Sequence, residues 1–396
     1  MMNMTMNDLS ILLAALYPLK YSAYTLWAIY QFFVILGLLG FWFYKPYDYT
    51  KAKEMVKKES VKKESGVEFV IVSLASKTVR YSLFQCVHYT KNKFPFIPLS
   101  VLINDDAELN MDLWRAIYDS ITVIRVPKDY RSDLIAKGRA MHYFIENYVA
   151  ADKWYCFIDD DNLLLDDNFL YELPHYEKLG FVACNPSIVP REGKSKFVFI
   201  MDTIRQYDDL TIFRFFTGLL KSPLLGMHGE FLTVKGQTLK EIGYANPSIT
   251  EDFRFAIELV KRNHRTWQST SKISIRSANS IRDLCRQRGR WFKGIFIDLR
   301  FCPPLMRLIV GVRLILWIGG IIGSWLLLPL WFIWNDNLIF YFIIGGAYPW
   351  IVFIYSIIKT RQPLYYISMI PLFGIIESIS FWFGLKQKKF VVIDKT

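Results

Sequence analysis

The sequence has little cysteine, no basic N-terminal stretch and few charged residues. Its five cysteines, at 86, 156, 184, 285 and 302, show no CxxC spacing and no paired framework, which indicates a reducing compartment and buried thiols. Because no basic residue precedes the short apolar run at 11–17, we do not expect a cleaved signal peptide. Charged residues are 21%, hydrophobic residues 53% and aromatic residues 17%, with a mean hydropathy of +0.20. This composition predicts a protein that is partly soluble and partly embedded in a bilayer.

The formal net charge of +12 has two interpretations. A basic protein can bind nucleic acid, but much of this charge lies next to apolar segments. In such positions, positive residues mark the cytoplasmic side of a membrane and face anionic lipid headgroups. We therefore expect membrane lipids, and no nucleic acid, among the partners.

The N-terminal region, residues 1–45, is predicted to lie in the membrane. Residues 25–44 form an uncharged apolar run of about the length that a spanning helix needs. The earlier run at 9–19 is shorter and is interrupted by Pro18 and Lys20, which favours an interfacial or re-entrant piece, the alternative being a second crossing at 9–24. Residues 46–66 form a lysine-rich linker with the tandem VKKES, expected on the cytoplasmic side.

The C-terminal region, residues 298–385, contains three more apolar segments, at 308–334, 338–358 and 364–385. Three crossings here would place the basic tail, residues 386–396, opposite the basic linker, against the positive-inside rule. The last segment contains Pro371, Gly374 and Glu377, so we expect a broken or re-entrant helix that leaves the tail cytoplasmic. Glu377 at membrane depth requires a partner or a cavity. The sequence thus predicts an integral, multi-pass membrane protein.

Between these regions, residues 67–297 alternate short apolar strand patterns with helical patterns. This alternation predicts an α/β domain with a mainly parallel sheet, in the layout of a nucleotide-binding domain. The predicted strands are 69–74, 99–103, 121–126, 154–158 and 181–184, and a helix is expected at 134–149.

Carboxylates follow two of these strands. The strand at 154–158 ends on Asp159, Asp160 and Asp161, and the strand at 99–103 ends on Asn104 followed by Asp105 and Asp106. Ligands of parallel sheets bind beyond the carboxyl ends of the strands, and adjacent carboxylates repel one another unless a cation is present. A divalent cation with oxygen ligands, Mg²⁺ or Mn²⁺, would also bring a phosphate. The alternative for each motif is a solvated acidic turn.

Two further motifs lie at the starts of predicted helices. Lys137 and Arg139 open the helix before the acidic strand, where cations and free N–H groups suit a pyrophosphate. An ordinary helix with a basic first turn would have the same sequence pattern. Thr250 is suited to cap the helix at 252–261, while Glu251 and Asp252 can place a general base in the cleft.

A fourth motif, Gln287 to Trp291, precedes the C-terminal membrane region. Its helix is rich in arginine, including Arg290, which suits a departing diphosphate, and Trp291 offers an aromatic plate for a sugar ring or an acceptor. A membrane-surface amphipathic helix has the same composition.

These motifs, in this order and followed by membrane spans, resemble glycosyltransferase family 2. The resemblance is to its membrane-integrated inverting members, a group that includes cellulose and hyaluronan synthases. The Leu-Leu-Gly-Met-His-Gly-Glu stretch at 224–230, the short C-terminal region and the ending Lys-Lys-Phe-Val-Val-Ile-Asp-Lys look closest to the egghead-type β-1,4-mannosyltransferases. The resemblance implies a GT-A fold, Rossmann-like and α/β, with a nucleotide diphosphate sugar as donor, GDP-mannose favoured and a UDP-sugar possible. It also implies a divalent metal.

By motif match, the resemblance implies a role for each candidate residue. Asp159 and Asp161 face the ribose and the metal-bound diphosphate, with Asp160 beside them; Asp105 or Asp106 contacts the base, and Lys137 or Arg139 the phosphates. Asp252, with Glu251 next to it, deprotonates the acceptor, Gln287, Arg290 and Trp291 hold the leaving diphosphate and the acceptor end, and His228 and Glu230 line the acceptor side. The family's Pro-x-Tyr-Asn-Glu after the first strand is replaced by Ser-Leu-Ala-Ser-Lys at 73–77, which leaves the base contacts open.

The function that we expect is inverting transfer of one sugar, mannose or glucose, to a glycolipid or polyprenyl-linked acceptor at the cytoplasmic face. A metal and an arginine aimed at the diphosphate stabilise the charge that develops as the sugar leaves, so that a single base suffices. A glycoside hydrolase would instead need two carboxylates flanking the bond. The alternatives are a processive polysaccharide synthase and a non-catalytic protein that binds anionic lipid.

Overall fold

A computed structural model describes residues 6–51, 53–54, 66–107, 121–135, 137–320 and 334–386. In this part of the chain, eight strands form one sheet in the order β3-β2-β1-β4-β7-β6-β8-β5. The strands are β1 (Val67–Val72), β2 (Leu99–Asn104), β3 (Ile121–Val126), β4 (Trp154–Asp159), β5 (Leu163–Leu164), β6 (Phe181–Arg191), β7 (Phe231–Lys235) and β8 (Arg265–Arg276).

The sheet has a parallel half and a mixed half. Strands β3, β2, β1 and β4 run parallel, and their register places Val72 beside Asp159, so that the carboxyl ends of these strands meet at one edge. All five predicted strands are present within a few residues, although β6 continues well past the expected end. Beyond β4 the sheet is mixed: β7 runs antiparallel to both β4 and β6 and β5 runs antiparallel to β8, while β6 and β8 pair in parallel, so that the sheet is mainly parallel as predicted.

Twelve α-helices of at least five residues accompany the sheet in the described ranges. They are α1 (Met6–Phe43), α2 (Arg80–Lys93), α3 (Lys137–Tyr148), α4 (Asn168–Lys178), α5 (Lys196–Asp202), α6 (Ile204–Asp208), α7 (Gly236–Ile242), α8 (Glu251–Lys261), α9 (Ile281–Asp298), α10 (Pro304–Ile315), α11 (Ile343–Lys359) and α12 (Ile370–Lys386). Two π-helical segments, Asp209–Leu219 and Leu316–Gly320, and short 3-10 turns complete the set.

Alternate residues of each strand enter separate cores on the two faces of the sheet, as the two-residue repeat of a strand requires. Val70 and Val72 pack with Phe144 of α3 and Phe255 of α8. On the opposite face, Phe69 packs with α2 and α4. Helices therefore cover both faces, which is why the strands read as apolar runs. The five cysteines are buried and free, as the spacing predicted.

Three helices of the described chain are long and apolar enough to cross a membrane: Lys20–Phe43, Asn337–Lys359 and Leu364–Lys386. The first lies within α1, which continues unbroken over 38 residues. The prediction of a separate interfacial piece at 9–19 is therefore wrong, since Pro18 lies inside the helix. Lys20 is accommodated because its ammonium pairs with Asp336 at 2.5 Å.

The other C-terminal predictions have mixed outcomes. The segment at 308–334 begins as α10 and continues as a π-helical turn, but most of its second half lies outside the described residues. The α-helix in the segment at 364–385 has no internal break. It starts as a 3-10 turn, Leu364–Met369, and becomes α12 at Ile370, so that Pro371 lies in the first helical turn, where its missing N–H costs nothing. The linker repeat and the basic tail beyond 386 lie outside the described residues.

Two close helix contacts join the sheet domain to the apolar helices. At the first, Gly40 of α1 lies so near the π-helix Asp209–Leu219 that an added Cβ would overlap the backbone at Thr211 and Phe215. At the second, Gly289 of α9 and Gly384 of α12 face each other with the same lack of space. Small residues at both crossings allow the backbones to touch, as in other helix contacts of membrane proteins.

Candidate functional site

Four charged side chains from three elements meet at the carboxyl edge of the parallel strands. Lys137, the first residue of α3, lies with its Nζ 2.6 Å from Asp159 Oδ1 at the end of β4. The same Nζ lies 3.1 Å from Glu251 Oε1 at the start of α8. Asp252 follows in the same helical turn. The structure thus unites residues that are more than a hundred positions apart in the sequence.

Asp252 is held by two backbone donors. The Gly229 N–H donates to Asp252 Oδ2 at 2.8 Å, and the Phe253 N–H donates to Oδ1 at 2.8 Å. Burial, together with the negative charge of Glu251, raises the pKa of Asp252 to about 7. A carboxylate with this pKa can take up a proton near neutral pH, as a general base must.

Burial also raises the pKa of Asp159, to about 6, while Lys137 acts in the opposite direction. For Lys137, burial lowers the pKa, but the carboxylates of Asp159, Glu251 and Asp252 outweigh burial, and the pKa is well above its usual value. The lysine is therefore a permanent cation among carboxylates. It is the group that keeps several negative charges close together.

The loop at 224–230 delivers the Gly229 N–H to Asp252. Gly226 has a φ of +100°, which a residue with a side chain rarely adopts, and an added Cβ there would meet the Phe253 ring at 2.8 Å. At Gly229, an added Cβ would lie 3.1 Å from Asp252 Oδ2 and 3.2 Å from Lys137 Nζ. Glycine at these two positions lets the loop lie against the acidic cluster.

Glu230 and His228, on the same loop, each have a charged partner. The Arg205 guanidinium pairs with Glu230 and, against the effect of burial, holds the pKa of that carboxyl well below its usual range. His228 Nε2 lies 2.7 Å from Asp209 Oδ1. Burial lowers the pKa of His228, but Asp209 more than offsets this, and the pKa is raised above its usual value.

Asp209 is fully buried and also accepts a hydrogen bond from the Ile188 N–H at 2.6 Å. Asn185 holds the other side of the loop, because its Nδ2 donates to the His228 carbonyl and its Oδ1 accepts from the His228 N–H. These bonds tie the loop to β6 and to the π-helix.

Trp291 of α9 lies between two arginines. The guanidinium carbon of Arg205 is 4.7 Å from its ring centroid, and that of Arg288 is 4.6 Å away. Arg288 is itself buried between Asp202 and Glu377. Glu377 Oε2 also accepts a hydrogen bond from Trp317 Nε1 at 3.2 Å. Glu377 on α12 thus has the partners that its position in an apolar segment requires.

The carboxylates at the end of β4 are suited to a divalent cation. Asp159 and Asp161 offer the oxygen ligands that Mg²⁺ and Mn²⁺ prefer, and the charge of Asp161 contributes to the raised pKa of Asp159. In the described ranges, no three His, Cys, Asp or Glu side chains converge in a way that would hold a metal ion. The residues fit a cation whose remaining ligands are phosphate or water oxygens.

Other predicted residues lie outside this cluster. Asp105 and Asp106 stand in an exposed turn after β2. Arg139 points to that turn, where its Nη2 donates to Asn104 Oδ1 at 2.6 Å. Asp160 accepts a hydrogen bond from Ser73 Oγ at the end of β1.

On α9, Gln287 is buried and Arg290 is half-buried. Gln287 Oε1 accepts from Arg288 Nη1 at 3.3 Å. Thr250 does not cap α8 with its side chain, against expectation; it packs against Gly294 of α9, and its buried hydroxyl makes no hydrogen bond within the described residues.

A cavity of about 330 Å³ extends from this cluster to the apolar helices. Asp252, His228, Glu230 and Trp291 line one part of it. Another part is lined by side chains of α1, α10 and α11, which include Tyr30, Val34, Leu314, Tyr348 and Phe353. One continuous space therefore joins the candidate base to helices that can cross a membrane.

Several residues of the site were not predicted. Arg205, Asp209 and Asn185 belong to segments without a recognised motif, and Gly229, inside the stretch at 224–230, was given no role. Arg288 was visible only as one of several arginines, and Glu377 only as an ionisable residue in an apolar run. The need of Glu377 for a partner at membrane depth was the one available signal, and it did not identify Arg288.

The fold defined by this sheet and its carboxyl-edge site has a counterpart among solved structures. Mannosyltransferase PcManGT from Pyrobaculum calidifontis, solved in complex with GDP-Man and Mn²⁺, superposes with a TM-score of 0.51 over 93% of this chain and 99% of that one, at 13% identity. At that identity the likeness shows the fold, which is the predicted GT-A type.

The chain belongs to glycosyl transferase family group 2, whose family model matches residues 154–378, more than half of the sequence. It is similar to the β-1,4-mannosyltransferase bre-3 of Caenorhabditis briggsae and of Caenorhabditis elegans, at 25% identity over 189 residues. That match covers 44% of this chain and 40% of the length of each relative. The predicted family and the predicted likeness to β-1,4-mannosyltransferases are confirmed.

Proposed function

We propose that this glycosyltransferase moves a single sugar, mannose in preference to glucose, from a nucleotide diphosphate sugar to a lipid-linked acceptor, with inversion at the sugar. The observation that carries the proposal is the cavity between Asp252 and the apolar helices α1, α10 and α11. A soluble acceptor would have no use for such a space, whereas a lipid could keep its chains among these helices while its sugar reaches the base.

Asp252 acts as the base in this proposal. Its carboxylate takes the proton from an acceptor hydroxyl, and the hydroxyl oxygen attacks the anomeric carbon as the bond to the diphosphate breaks. The two hydrogen bonds from Gly229 and Phe253 fix the carboxylate in place. One displacement inverts the configuration at that carbon. Glu251 contributes by raising the pKa of Asp252.

The donor occupies the carboxyl edge of the parallel strands. Asp159 and Asp161 would hold Mn²⁺ or Mg²⁺, which supplies positive charge to the diphosphate when bound. Lys137 adds a fixed cation beside Asp159. Asp160, Asp105, Asp106 and Arg139 lie along the same edge and are assigned to the nucleotide. GDP-mannose is the favoured donor because of the similarity to mannosyltransferases.

The acceptor side is formed by the loop at 224–230 and by α9. Trp291, which the guanidinium groups of Arg205 and Arg288 flank, lines the space for the acceptor sugar together with Glu230 and His228. Gln287 and Arg290, in the middle turns of α9, are assigned to the leaving diphosphate.

The proposed arrangement in the membrane follows the sequence boundaries. Residues 1–45 anchor the chain, 46–66 link the anchor to the GT-A domain at 67–297, and 298–385 complete the membrane region before the tail at 386–396. The catalytic domain and the basic segments lie on the cytoplasmic side, where nucleotide sugars are available and positive residues are retained.

The direct test is transfer by the purified full-length protein. GDP-mannose and UDP-glucose are each supplied with Mn²⁺ or Mg²⁺ and with glycolipid or polyprenyl-linked acceptors, and products are read by mass spectrometry. One added hexose with inverted configuration supports the proposal. A ladder of longer products would favour a processive synthase, and no transfer from any donor to any acceptor would refute the proposal.

A further inference from the structure

Asn185 is a buried amide of β6 that the proposed chemistry does not use. The pairing of β6 with β7 reaches Cys184, the residue before it, and Asn185 itself is 1% exposed. Its side chain makes three hydrogen bonds to the chain that leads into β7. Oδ1 accepts from the His228 N–H at 2.9 Å, and Nδ2 donates to the carbonyls of His228 and Phe231, each at 3.0 Å. Because Nδ2 carries two hydrogens, each carbonyl can receive one of them.

The His228 carbonyl and the Gly229 N–H belong to the same peptide group. A peptide group is planar and trans, so its C=O and its N–H point in opposite directions. Asn185 Nδ2 holds the carbonyl end, and the N–H end donates to Asp252 Oδ2 at 2.8 Å. A rotation of this peptide that broke the bond to Asn185 would also turn the N–H away from the carboxylate. One rigid unit therefore links Asn185 to Asp252.

A second buried amide holds the loop on the other side of Gly229. Asn162, which follows Asp161 and is 1% exposed, donates from Nδ2 to the Glu230 carbonyl at 3.1 Å. The backbone on both sides of the Gly229 N–H is thus fixed by side-chain amides. An amide is neutral, so it fixes the loop without adding charge next to the base, whereas a lysine or arginine in its place would lower the pKa of the base.

We propose that Asn185 is a positioning residue of the transfer reaction. It holds the peptide between residues 228 and 229 so that the Gly229 N–H keeps the Asp252 carboxylate in one orientation toward the acceptor hydroxyl. The inference rests on the proposed function, in which Asp252 is the base, and adds a residue that acts on this base only through the loop.

Asn185→Leu is the main test, because it keeps a branched side chain of similar size and removes all three hydrogen bonds. The peptide before Gly229 then turns more freely, and Asp252 loses a donor that favours its ionised form, so the pKa of Asp252 rises. The rise of kcat/KM with pH should move upward by about one pH unit. On its plateau, kcat should fall by about 10- to 100-fold, because the base is less well oriented.

A second readout needs no sugar transfer. Burial and the charge of Glu251 raise the pKa of Asp252 to about 7, so the folded protein keeps a proton that the unfolded chain loses near pH 4, and stability falls as the pH rises between these values. The unfolding midpoint of the wild type relative to Asp252→Asn should therefore fall with pH and level off near pH 7. In the Asn185→Leu background, the same difference should level off about one unit higher. Glu251, Lys137 and Glu230, the charged groups that act on Asp252, are the same in all four proteins.

Gln268→Leu is the matched control. Gln268 of β8 is also 1% exposed, and its Nε2 donates to the carbonyl of Pro186, the residue that follows Asn185 on β6, at 3.0 Å. Loss of this amide should lower the unfolding midpoint at every pH and leave both pH-dependent readouts in place. Asn185→Ala serves if Asn185→Leu does not fold, because it leaves room for a water molecule at the three polar groups, and it should shift both readouts in the same direction by less.

Variants of Asn185 that lower the unfolding midpoint equally at every pH, with both readouts at their wild-type positions, would overturn the inference, and so would a shift to lower pH. If the unfolding difference shifts as expected but the wild-type protein transfers no sugar, the positioning of Asp252 by Asn185 is supported and the proposed function fails. If sugar is transferred and neither readout shifts, the proposed function stands and the role of Asn185 is refuted.

Discussion

Asp252 differs from the other carboxylates of the site in what holds it. Lys137 contacts Asp159 and Glu251 directly, whereas Asp252 accepts hydrogen bonds from two backbone N–H groups. Backbone donors orient a carboxylate without lowering its pKa as far as a bound cation would, and here burial and Glu251 keep the pKa near neutral. Asp159 and Glu251 thus contact a cationic side chain, whereas Asp252 is held by backbone donors and has a pKa of about 7.

The first prediction concerns this base. Asp252→Asn keeps the shape of the side chain and removes the proton acceptor, so kcat for transfer should fall by about 100- to 10,000-fold. Because the donor edge is unchanged, stabilisation by GDP with Mn²⁺ should remain. Asp133→Asn is the control with the same chemical change on the surface. Activity close to wild type in the Asp252 variant would remove this residue from the base role.

The pKa of Asp252 also predicts a pH dependence. Only the ionised carboxylate can accept the proton, so kcat/KM should rise with pH, by about tenfold per unit below the pKa, and level off above about 7. Glu251→Gln removes a neighbouring negative charge that raises this pKa, and the rise should move to lower pH. Profiles recorded from about pH 5.5 to 8.5 test both statements, and a shift to higher pH would contradict the assignment.

The predicted residues that the structure brings together at the carboxyl edge share one property: each lies at the end or start of a regular element. The run at 154–161 predicts both a strand and the carboxylates that follow it, and Lys137 and Asp252 lie in the first turns of helices. Arg205 and Asp209 have no such local signal, because each is defined by a partner on another element. Glu377 stood out as an ionisable residue in an apolar segment, and Arg288 was one of several arginines of its helix. Only the folded chain shows that these two residues, 89 positions apart, form an ion pair.

The sheet, too, has features that local sequence predicts and features that depend on contacts between distant segments. The parallel strands were predictable because each is buried on both faces and reads as an apolar run. Strand β7 is only five residues long, and β8 contains four serines and threonines among its first seven residues, so neither has the pattern of a buried parallel strand. Their pairing with β4 and β6 depends on contacts that local sequence does not encode.

The contact between α9 and α12 is the element-scale link between the Gln287–Trp291 motif and the membrane region. Gly289→Ala should force these helices apart, because the added Cβ would lie 2.5 Å from the Gly384 nitrogen and 2.7 Å from the Ser380 carbonyl oxygen. We expect a loss of about 1–3 kcal/mol in stability, measured as a lower midpoint of thermal unfolding, and a reduced kcat as Trp291 shifts.

Gly311→Ala on α10 is the matched control for this variant. Its added Cβ would meet Leu299 Cδ2 at 3.8 Å, an ordinary contact, and alanine favours a helix over glycine by about 1 kcal/mol. Its unfolding midpoint should therefore stay the same or rise. Equal destabilisation of both variants would mean that the Gly289 contact is not the cause.

For the whole molecule, the sheet domain and the apolar helices together build one cavity. In the proposed function, the sheet and its helices form the donor edge, whereas α1, α10 and α11 also line the acceptor part of the cavity. The lining includes residues of the π-helix that follows Asp208, and this helix lies against α1 at the close contact of Gly40. Binding of donor and binding of acceptor should therefore respond differently to a displaced α1.

Gly40→Leu tests this separation. The larger side chain cannot fit against the backbone at Thr211 and Phe215, so α1 and the π-helix must move apart and the acceptor part of the cavity changes shape. We expect KM for a glycolipid acceptor to rise about tenfold or more, while stabilisation by GDP with Mn²⁺ is retained. Gly319→Ala is the control near α1, since its Cβ would contact Leu26 at an ordinary 3.8 Å. If Gly40→Leu lost donor binding together with acceptor binding, the cavity would not be an independent acceptor site, and the membrane helices would instead be needed to fold the donor edge itself.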